Sequence, residues 1–121
     1  MGIPLLICDD SNMARKQVAR ALPEGWDVEI SYAANGVEGM EVIRQGRGEM
    51  VFLDLTMPEM DGYEVLKLLK EELHKSIVIV ISGDVQPEAR QRVMALGALE
   101  FIRKPINRDK LEAVLRTFGL L

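Results

Sequence analysis

The sequence predicts an α/β fold, a three-layer sandwich in which helices cover both faces of a parallel sheet. Five short apolar runs have the length and the β-branched character of buried strands. Stretches with apolar residues at helical spacing separate these runs, so strand and helix alternate strictly along the chain. This alternation favours parallel strands joined by right-handed crossovers, because each helix returns the chain across a face of the sheet.

Length, composition and charge fit one globular domain. With 121 residues, of which 48% are apolar, the chain suits a single domain over residues 1–121 with its own core. The net charge of −4 argues against direct binding to nucleic acid or to an anionic membrane. Cys8 is the only cysteine and lies in an apolar run, which predicts a buried thiol and a reducing compartment. Since the sequence contains neither a membrane-length apolar run nor a signal peptide, we expect a cytoplasmic protein.

The predicted strands cover residues 4–8, 28–33, 50–53, 77–81 and 99–102. The third is the most informative, because its apolar run from Met50 to Leu53 stops at a single acidic residue, Asp54. Pro58 and Gly62 then mark a turn before helical spacing resumes. For five such strands we expect the flavodoxin-like order 2-1-3-4-5, and in sheets of this kind ligands bind at the carboxyl edge.

Each predicted helix follows one strand and is delimited by capping residues, prolines or glycines. Ser11 caps the first helix, and Asn35 begins the turn that opens the second. Pro87 opens the fourth helix, Gly97 ends it, and the fifth spans roughly residues 107–118. The third helix is expected to bury a wide apolar face made of Val65, Leu66, Leu68, Leu69 and Leu73.

Chemically distinctive residues follow four of the five strands. They are Asp9 and Asp10 after the first, Asp54 after the third, Ser82, Gly83 and Asp84 after the fourth, and Lys104 and Pro105 after the fifth. Parallel strands bring their carboxyl ends to one edge, where three carboxylates would repel one another unless a hard cation such as Mg²⁺ lay between them. A lysine and a hydroxyl beside an aspartate also suit phosphoryl transfer, in which an aspartate can act as the nucleophile.

Each group has a simpler interpretation when it stands alone. Asp9 and Asp10, directly before Ser11, then favour a helix cap facing the helix dipole. Ser82-Gly83 is typical of an ordinary turn, and Lys104 could simply end a strand. The occurrence of these residue types together at four strand ends on one edge is what favours a functional site.

The same residues resemble the receiver domain of two-component response regulators. The resemblance covers essentially the whole chain, and its motifs are jointly specific although none is so alone. These motifs are Asp9-Asp10, the block Asp54-Leu55-Thr56-Met57-Pro58-Glu59-Met60-Asp61-Gly62, the Ser82-Gly83 pair, and Gly97-Ala98 followed by Phe101-Ile102-Arg103-Lys104-Pro105.

The resemblance implies a phosphoacceptor site with Asp54 at its centre. Asp54 would accept a phosphoryl group from a phosphohistidine on a sensor histidine kinase or a phosphotransfer protein. It also implies that Mg²⁺ is held by Asp10, Asp54 and the backbone carbonyl of Thr56, with Asp9 acting through water. Phosphoryl oxygens would be bound by the side chains of Lys104 and Ser82 and by the backbone N–H groups of Thr56 and Gly83.

The resemblance further implies a switch rather than a turnover enzyme. Phosphorylation would draw the Ser82 hydroxyl inward and let Phe101 rotate into the space that it leaves. The face made by the fourth helix, fifth strand and fifth helix would then bind an effector or an attached output domain, or form a homodimer. The chain could be a stand-alone regulator of the chemotaxis type or the receiver of a longer protein.

Three other functions remain open from the sequence. A Mg²⁺-dependent phosphatase with an aspartate nucleophile would use the same carboxylates and lysine, although Thr56 stands where its general acid/base is expected. A flavin or nucleotide binder shares the architecture, but Asp9 and Asp10 would repel its phosphate. A constitutive interaction module would need no phosphorylation at all.

Overall fold

A computed structural model of the protein describes residues 2–84 and 86–121, and in this part of the chain five strands and five helices alternate. The strands are β1 (Ile3–Cys8), β2 (Val28–Ala33), β3 (Met50–Leu53), β4 (Ile77–Ser82) and β5 (Glu100–Arg103). The helices are α1 (Asn12–Ala21), α2 (Gly36–Arg44), α3 (Gly62–Glu71), α4 (Pro87–Ala95) and α5 (Arg108–Thr117). None of these helices is long and apolar enough to cross a membrane.

The sheet has the strand order β2-β1-β3-β4-β5, with every neighbouring pair parallel, which confirms the predicted order. β3 occupies its centre between β1 and β4, and the register of β1 and β3 places Cys8 opposite Leu53. The residues that follow these two, Asp9 and Asp54, therefore leave the sheet side by side. Ser82, predicted to follow the fourth strand, is instead the last residue of β4.

Two apolar layers enclose the sheet, one on each face. Buried residues of α2, α3 and α4 pack on one face, around Val51 and Leu53. Those of α1 and α5 pack on the other, where Trp26 stacks on Phe52 with ring centroids 6.5 Å apart. Because both faces are covered, the central strands read as continuous apolar runs.

The C-terminus of α3 differs from the prediction. The helix ends at Glu71, and Leu73, expected on its buried face, is 85% exposed with φ of 61°. The Leu73 N–H donates to the carbonyl of Lys70 at 3.2 Å, and the His74 N–H donates to that of Leu69 at 2.9 Å. These two bonds form a Schellman motif, whose left-handed position normally holds glycine. The helical spacing predicted that α3 continues through Leu73, because a leucine, unlike a glycine, does not indicate the end of a helix.

We expect Leu73→Gly to stabilise the protein by about 0.5 to 1 kcal/mol, because glycine adopts positive φ without the steric cost that leucine bears. The exposed leucine side chain loses little packing when it is removed. Urea unfolding measures the gain. Lys75→Gly, two residues further on and also exposed, is the control and should give no gain; equal effects of the two changes would contradict the explanation.

Candidate functional site

The adjacent strands β1 and β3 bring Asp9 and Asp54 to the carboxyl edge of the sheet. The Asp54 N–H donates to the carbonyl of Cys8 at 2.9 Å, and the Asp9 N–H donates to that of Ala33 at 3.0 Å. These bonds extend the sheet pairing by one residue beyond β1 and β3. The backbone of both acidic residues is therefore fixed by the sheet rather than by a flexible loop.

Three carboxylates cluster at this edge. Asp9 is 3% exposed and Asp54 is 6% exposed, whereas Asp10 faces solvent. One oxygen from each of the three lies within 4.8 Å of the other two. Mg²⁺ prefers oxygen ligands such as these carboxylates, so the residue types fit the ion that the sequence predicts.

Lys104 supplies the positive charge that the buried pair of acids needs. Its Nζ lies 2.8 Å from Asp9 Oδ2 and 3.5 Å from Asp54 Oδ1. Its N–H donates to the carbonyl of Ser82 at 2.9 Å, which fixes the start of the side chain at the end of β4. Burial alone would lower the pKa of Lys104, but the hydrogen bond to Asp9 and the charges of both carboxylates raise it above its ordinary value.

Asp9 has two further contacts that bear on the simpler interpretation of the acid pair. Its Oδ1 accepts a hydrogen bond from the N–H of Ser11 at 2.9 Å, so the carboxylate does contact the start of α1. Its backbone carbonyl accepts from Arg15 Nη1 at 2.6 Å. The helix contact and the lysine contact use different oxygens, and Asp9 therefore makes both. Sequence reasoning had no signal for Arg15, because its contact depends on the path of α1.

Asp54 has an unusual pKa for an aspartate. Burial is the largest cause and the charge of Asp9 adds to it, and together they raise the pKa of Asp54 from 3.8 to about 6. Lys104 and the N–H of Leu55 act in the opposite direction without cancelling the rise. The ionised form that a nucleophile requires is thus costly in the metal-free protein, and a bound cation would favour it.

We expect the contribution of Asp54 to the stability of the metal-free protein to grow as the pH falls from about 7 to about 4. Because the pKa of Asp54 is higher in the folded state, the folded chain takes up the proton first. This stabilisation is complete below about pH 4 and lost as the pH rises through about 6, and it amounts to roughly 2 to 3 kcal/mol. Urea unfolding in EDTA measures it, and Asp54→Asn should remove this part of the pH dependence. A wild type and a variant with parallel pH profiles would contradict the prediction.

Ser82, Thr56 and Gly83 complete the set of predicted site residues. Ser82 is 1% exposed, and its Oγ accepts a hydrogen bond from the Asp84 N–H at 3.2 Å. Thr56, in the loop after β3, and Gly83, after β4, are both exposed. A Cβ added to Gly83 would meet no heavy atom within 4 Å. The surroundings of these two residues therefore stay open to solvent.

Phe101, the predicted switch residue, lies apart from the carboxylates on β5. It is partly buried and packs against the apolar layer on the face of α2, α3 and α4. Val80 of β4 is its partner in the sheet register, two residues before Ser82. The structure thus places Phe101 on the strand next to the one that ends at Ser82.

Two glycines that sequence reasoning treated only as turn residues pack tightly beside the site. A Cβ on Gly62 would clash with the carbonyl oxygen of Asp54 and lie 2.9 Å from the Cα of Leu55. One on Gly36 would lie 2.5 Å from the carbonyl oxygen of Met60, which accepts the Gly36 N–H at 3.0 Å. These contacts hold the loop after β3 against the starts of α2 and α3. The Asp61-Gly62 pair signalled a turn, but close packing is visible only in three dimensions.

Comparisons with known proteins identify the family. The family model of the response regulator receiver domain matches residues 5–116, so the chain belongs to this family. A chain of the crystal structure of the CheX–CheY–BeF3–Mg²⁺ complex from Borrelia burgdorferi is 30% identical, with a TM-score of 0.84 over 97% of this chain and 89% of that one. The CheY-like receiver domain protein of Methanospirillum hungatei is 28% identical, with a TM-score of 0.81 over 98% and 95%.

Curated relatives are longer proteins. The protein-glutamate methylesterase/protein-glutamine glutaminase 3 of Geobacter sulfurreducens is 38% identical over 104 residues, which make up 85% of this chain and 28% of that protein. Among the relatives compared, the chain spans between 25% and 48% of the full length. The resemblance and the phosphorelay receiver role predicted from the sequence are confirmed at the level of the family. Receiver domains bind Mg²⁺ at an acidic pocket, and Asp9, Asp10 and Asp54 form a cluster of carboxylates in this chain.

Proposed function

We propose that this chain accepts a phosphoryl group on Asp54 and thereby changes a surface that it offers to another protein. One observation carries the proposal above all. Asp54 is a buried carboxylate fixed at the carboxyl edge of the central strand, with oxygens of two further acids within 4.8 Å and Lys104 Nζ at 3.5 Å. A buried carboxylate can attack a phosphorus atom only if its negative charge is stabilised, and the surrounding residues can do this through Lys104 and a bound cation.

We assign the metal site to the cluster of acidic residues. Asp10, Asp54 and the backbone carbonyl of Thr56 would hold Mg²⁺, with Asp9 acting through a water molecule. When bound, the ion supplies neutralisation of charge on the equatorial phosphoryl oxygens. The similar complex from Borrelia burgdorferi contains both BeF3 and Mg²⁺. In the unmodified chain Lys104 already neutralises part of the charge of Asp9 and Asp54.

Each residue of the site has a role in the phosphoryl-transfer step. An Asp54 oxygen attacks the phosphorus of the donor phosphohistidine, and the phosphorus–nitrogen bond breaks as the new phosphorus–oxygen bond forms. The imidazole nitrogen of the donor keeps the electron pair of the broken bond and takes up a proton from solvent, so the donor leaves as neutral histidine. Lys104 then pairs with one phosphoryl oxygen and the Ser82 hydroxyl donates to another. The N–H groups of Thr56 and Gly83, both in exposed segments that a donor can reach, bind the remainder.

The proposed output is a change of binding surface. The donor is a sensor histidine kinase or a phosphotransfer protein in the cytoplasm. When Ser82 turns toward the phosphoryl group, Phe101 moves on the neighbouring strand, and the face of α4, β5 and α5 changes shape. An effector, an attached output domain or a second copy of the chain binds that face. In this role the protein is a switch and not a turnover enzyme.

Intact-mass measurement with a small phosphodonor tests the proposal. Incubation with phosphoramidate and Mg²⁺ should add one phosphoryl group that is lost in mild base, as an acyl phosphate is. Omitting Mg²⁺, or adding EDTA, should greatly reduce the adduct because the charge at the site is then not neutralised. A protein that gains no phosphoryl group under any of these conditions would contradict the proposal and favour a constitutive interaction module.

A further inference from the structure

α4 is the one helix of the described chain whose N-cap residue makes no side-chain capping bond. This N-cap residue is Gln86, and Ala89 and Val93 are the only residues of α4 classed as buried in the described chain. α1 and α5 also bury two residues each, but both have a capping bond, and α3 has a capping bond from Asp61 and buries four residues. Few apolar contacts therefore fix the position of α4, and individual polar contacts have more influence on it.

A short series of hydrogen bonds joins the site to the start of α4. Ser82 Oγ accepts from the N–H of Asp84 at 3.2 Å, and Asp84 Oδ1 accepts from the N–H of Gln86 at 2.9 Å. Gln86 is the N-cap of α4. A Ser82 hydroxyl that turns toward a phosphoryl group on Asp54 leaves the Asp84 N–H without this acceptor. The position of α4 and the direction of the Ser82 hydroxyl are therefore physically linked.

A second contact holds α4 from the side of α3. The guanidinium carbon of Arg92 lies 3.7 Å from the ring centroid of Tyr63, the geometry of a cation–π interaction. Tyr63 is partly buried and packs against the apolar layer, and this packing restricts the movement of its ring. Burial and the charge of Asp84 raise the pKa of the Tyr63 hydroxyl, and Arg92 acts in the opposite direction. Arg90, by contrast, pairs with Glu100 at 2.6 Å and ties α4 to β5.

We propose that the contact between Arg92 and Tyr63 holds α4 in the position where Asp84 bonds to Ser82, and so opposes release of the Ser82 hydroxyl to a phosphoryl group. The inference rests on the proposed function and adds two positioning residues to it, since neither residue touches the reacting atoms. Both contacts act on one element, α4, so weakening one must favour loss of the other. Loss of the contact therefore strengthens binding of a phosphoryl group or its mimic.

Hydrogen exchange in the metal-free protein tests whether the contact holds α4. The variants are Arg92→Gln and Tyr63→Leu, which remove the contact, and Tyr63→Phe, which keeps the ring face. Arg116→Gln on α5 matches the change in charge. We expect amides of α4 to exchange about two- to five-fold faster in the first two variants and unchanged in the others. The double variant of Arg92→Gln and Tyr63→Leu should exchange no faster than either single one. Equal exchange in Arg92→Gln and Arg116→Gln would overturn the inference.

Beryllofluoride binding with Mg²⁺ tests the link to the site. We expect Arg92→Gln to bind about two- to five-fold more tightly than wild type, with Tyr63→Phe and Arg116→Gln close to wild type. If wild type binds and Arg92→Gln has the affinity of Arg116→Gln, the link to Ser82 is wrong although the proposed function stands. If wild type does not bind at all, the proposed function fails and the link fails with it, while hydrogen exchange still decides whether the contact holds α4.

Discussion

Asp54→Asn is expected to abolish phosphorylation of the protein while leaving its fold intact. An amide has almost the same shape as a carboxylate, so the buried position next to Leu53 and Leu55 is still filled. The amide offers no anionic oxygen to attack phosphorus. Among the other described carboxylates only Asp9 is also buried and in contact with Lys104, and its Oδ2 is already bonded to that lysine at 2.8 Å. Intact-mass measurement after incubation with phosphoramidate and Mg²⁺ should find no adduct.

Asp61→Asn is the matched control for this variant. Asp61 also lies near the site in sequence, but its Oδ1 accepts the N–H of Glu64 at 2.9 Å and caps α3, a role that asparagine fills equally well. We expect this variant to be phosphorylated as wild type is. Asp54→Asn should also be more stable than wild type near pH 7 without metal, because it removes a buried charge. An adduct retained in Asp54→Asn, or lost in both variants, would contradict the assignment.

The second large effect is expected from Gly62→Ala, which should destabilise the protein by about 3 kcal/mol or more. The added methyl group would meet the carbonyl oxygen of Asp54 and the Cα of Leu55, which are backbone atoms and cannot rotate away. The Gly62 N–H also donates to the carbonyl of Leu55 at 3.0 Å, so the two segments cannot separate without losing this bond. Urea unfolding measures the loss of stability.

Gly83→Ala is the control for a glycine in the same region. A Cβ there meets no heavy atom, and its φ lies outside the left-handed range that favours glycine. We expect its free energy of unfolding to equal that of wild type or slightly exceed it, because alanine restricts the unfolded chain. If Gly62→Ala unfolds at the same urea concentration as Gly83→Ala, the close packing at Gly62 does not matter to stability.

The sequence predicted the sheet and the position of the site because both depend on local patterns. Apolar runs that alternate with helices leave only a few possible strand orders, and the carboxyl ends of parallel strands all lie at one edge of the sheet. The residues after β1, β3 and β5 were therefore expected at one edge of the sheet, whatever their exact contacts. The register that places Cys8 opposite Leu53 then brings Asp9 and Asp54 side by side.

Contacts between distant elements could not be predicted in the same way. The hydrogen bond of Lys104 to Asp9 depends on how far a flexible side chain reaches across the edge of the sheet. The contact of Arg92 with Tyr63 depends on the distance between two helices that no local pattern reports. At Leu73 the local pattern was misleading, because it predicted a longer helix, whereas the backbone of Leu73 is left-handed and ends the helix. Each of these features is decided by tertiary packing.

Chemical identification of the phosphorylated residue distinguishes Asp54 from the other aspartates near the site. An acyl phosphate on aspartate is reduced by borohydride to homoserine, which marks the acceptor permanently. After incubation with phosphoramidate and Mg²⁺, borohydride treatment and proteolysis, tandem mass spectrometry should find homoserine at position 54 and unchanged aspartate at positions 9, 10 and 61. Homoserine at any of those other positions, or at none, would contradict the assignment of Asp54 as the acceptor.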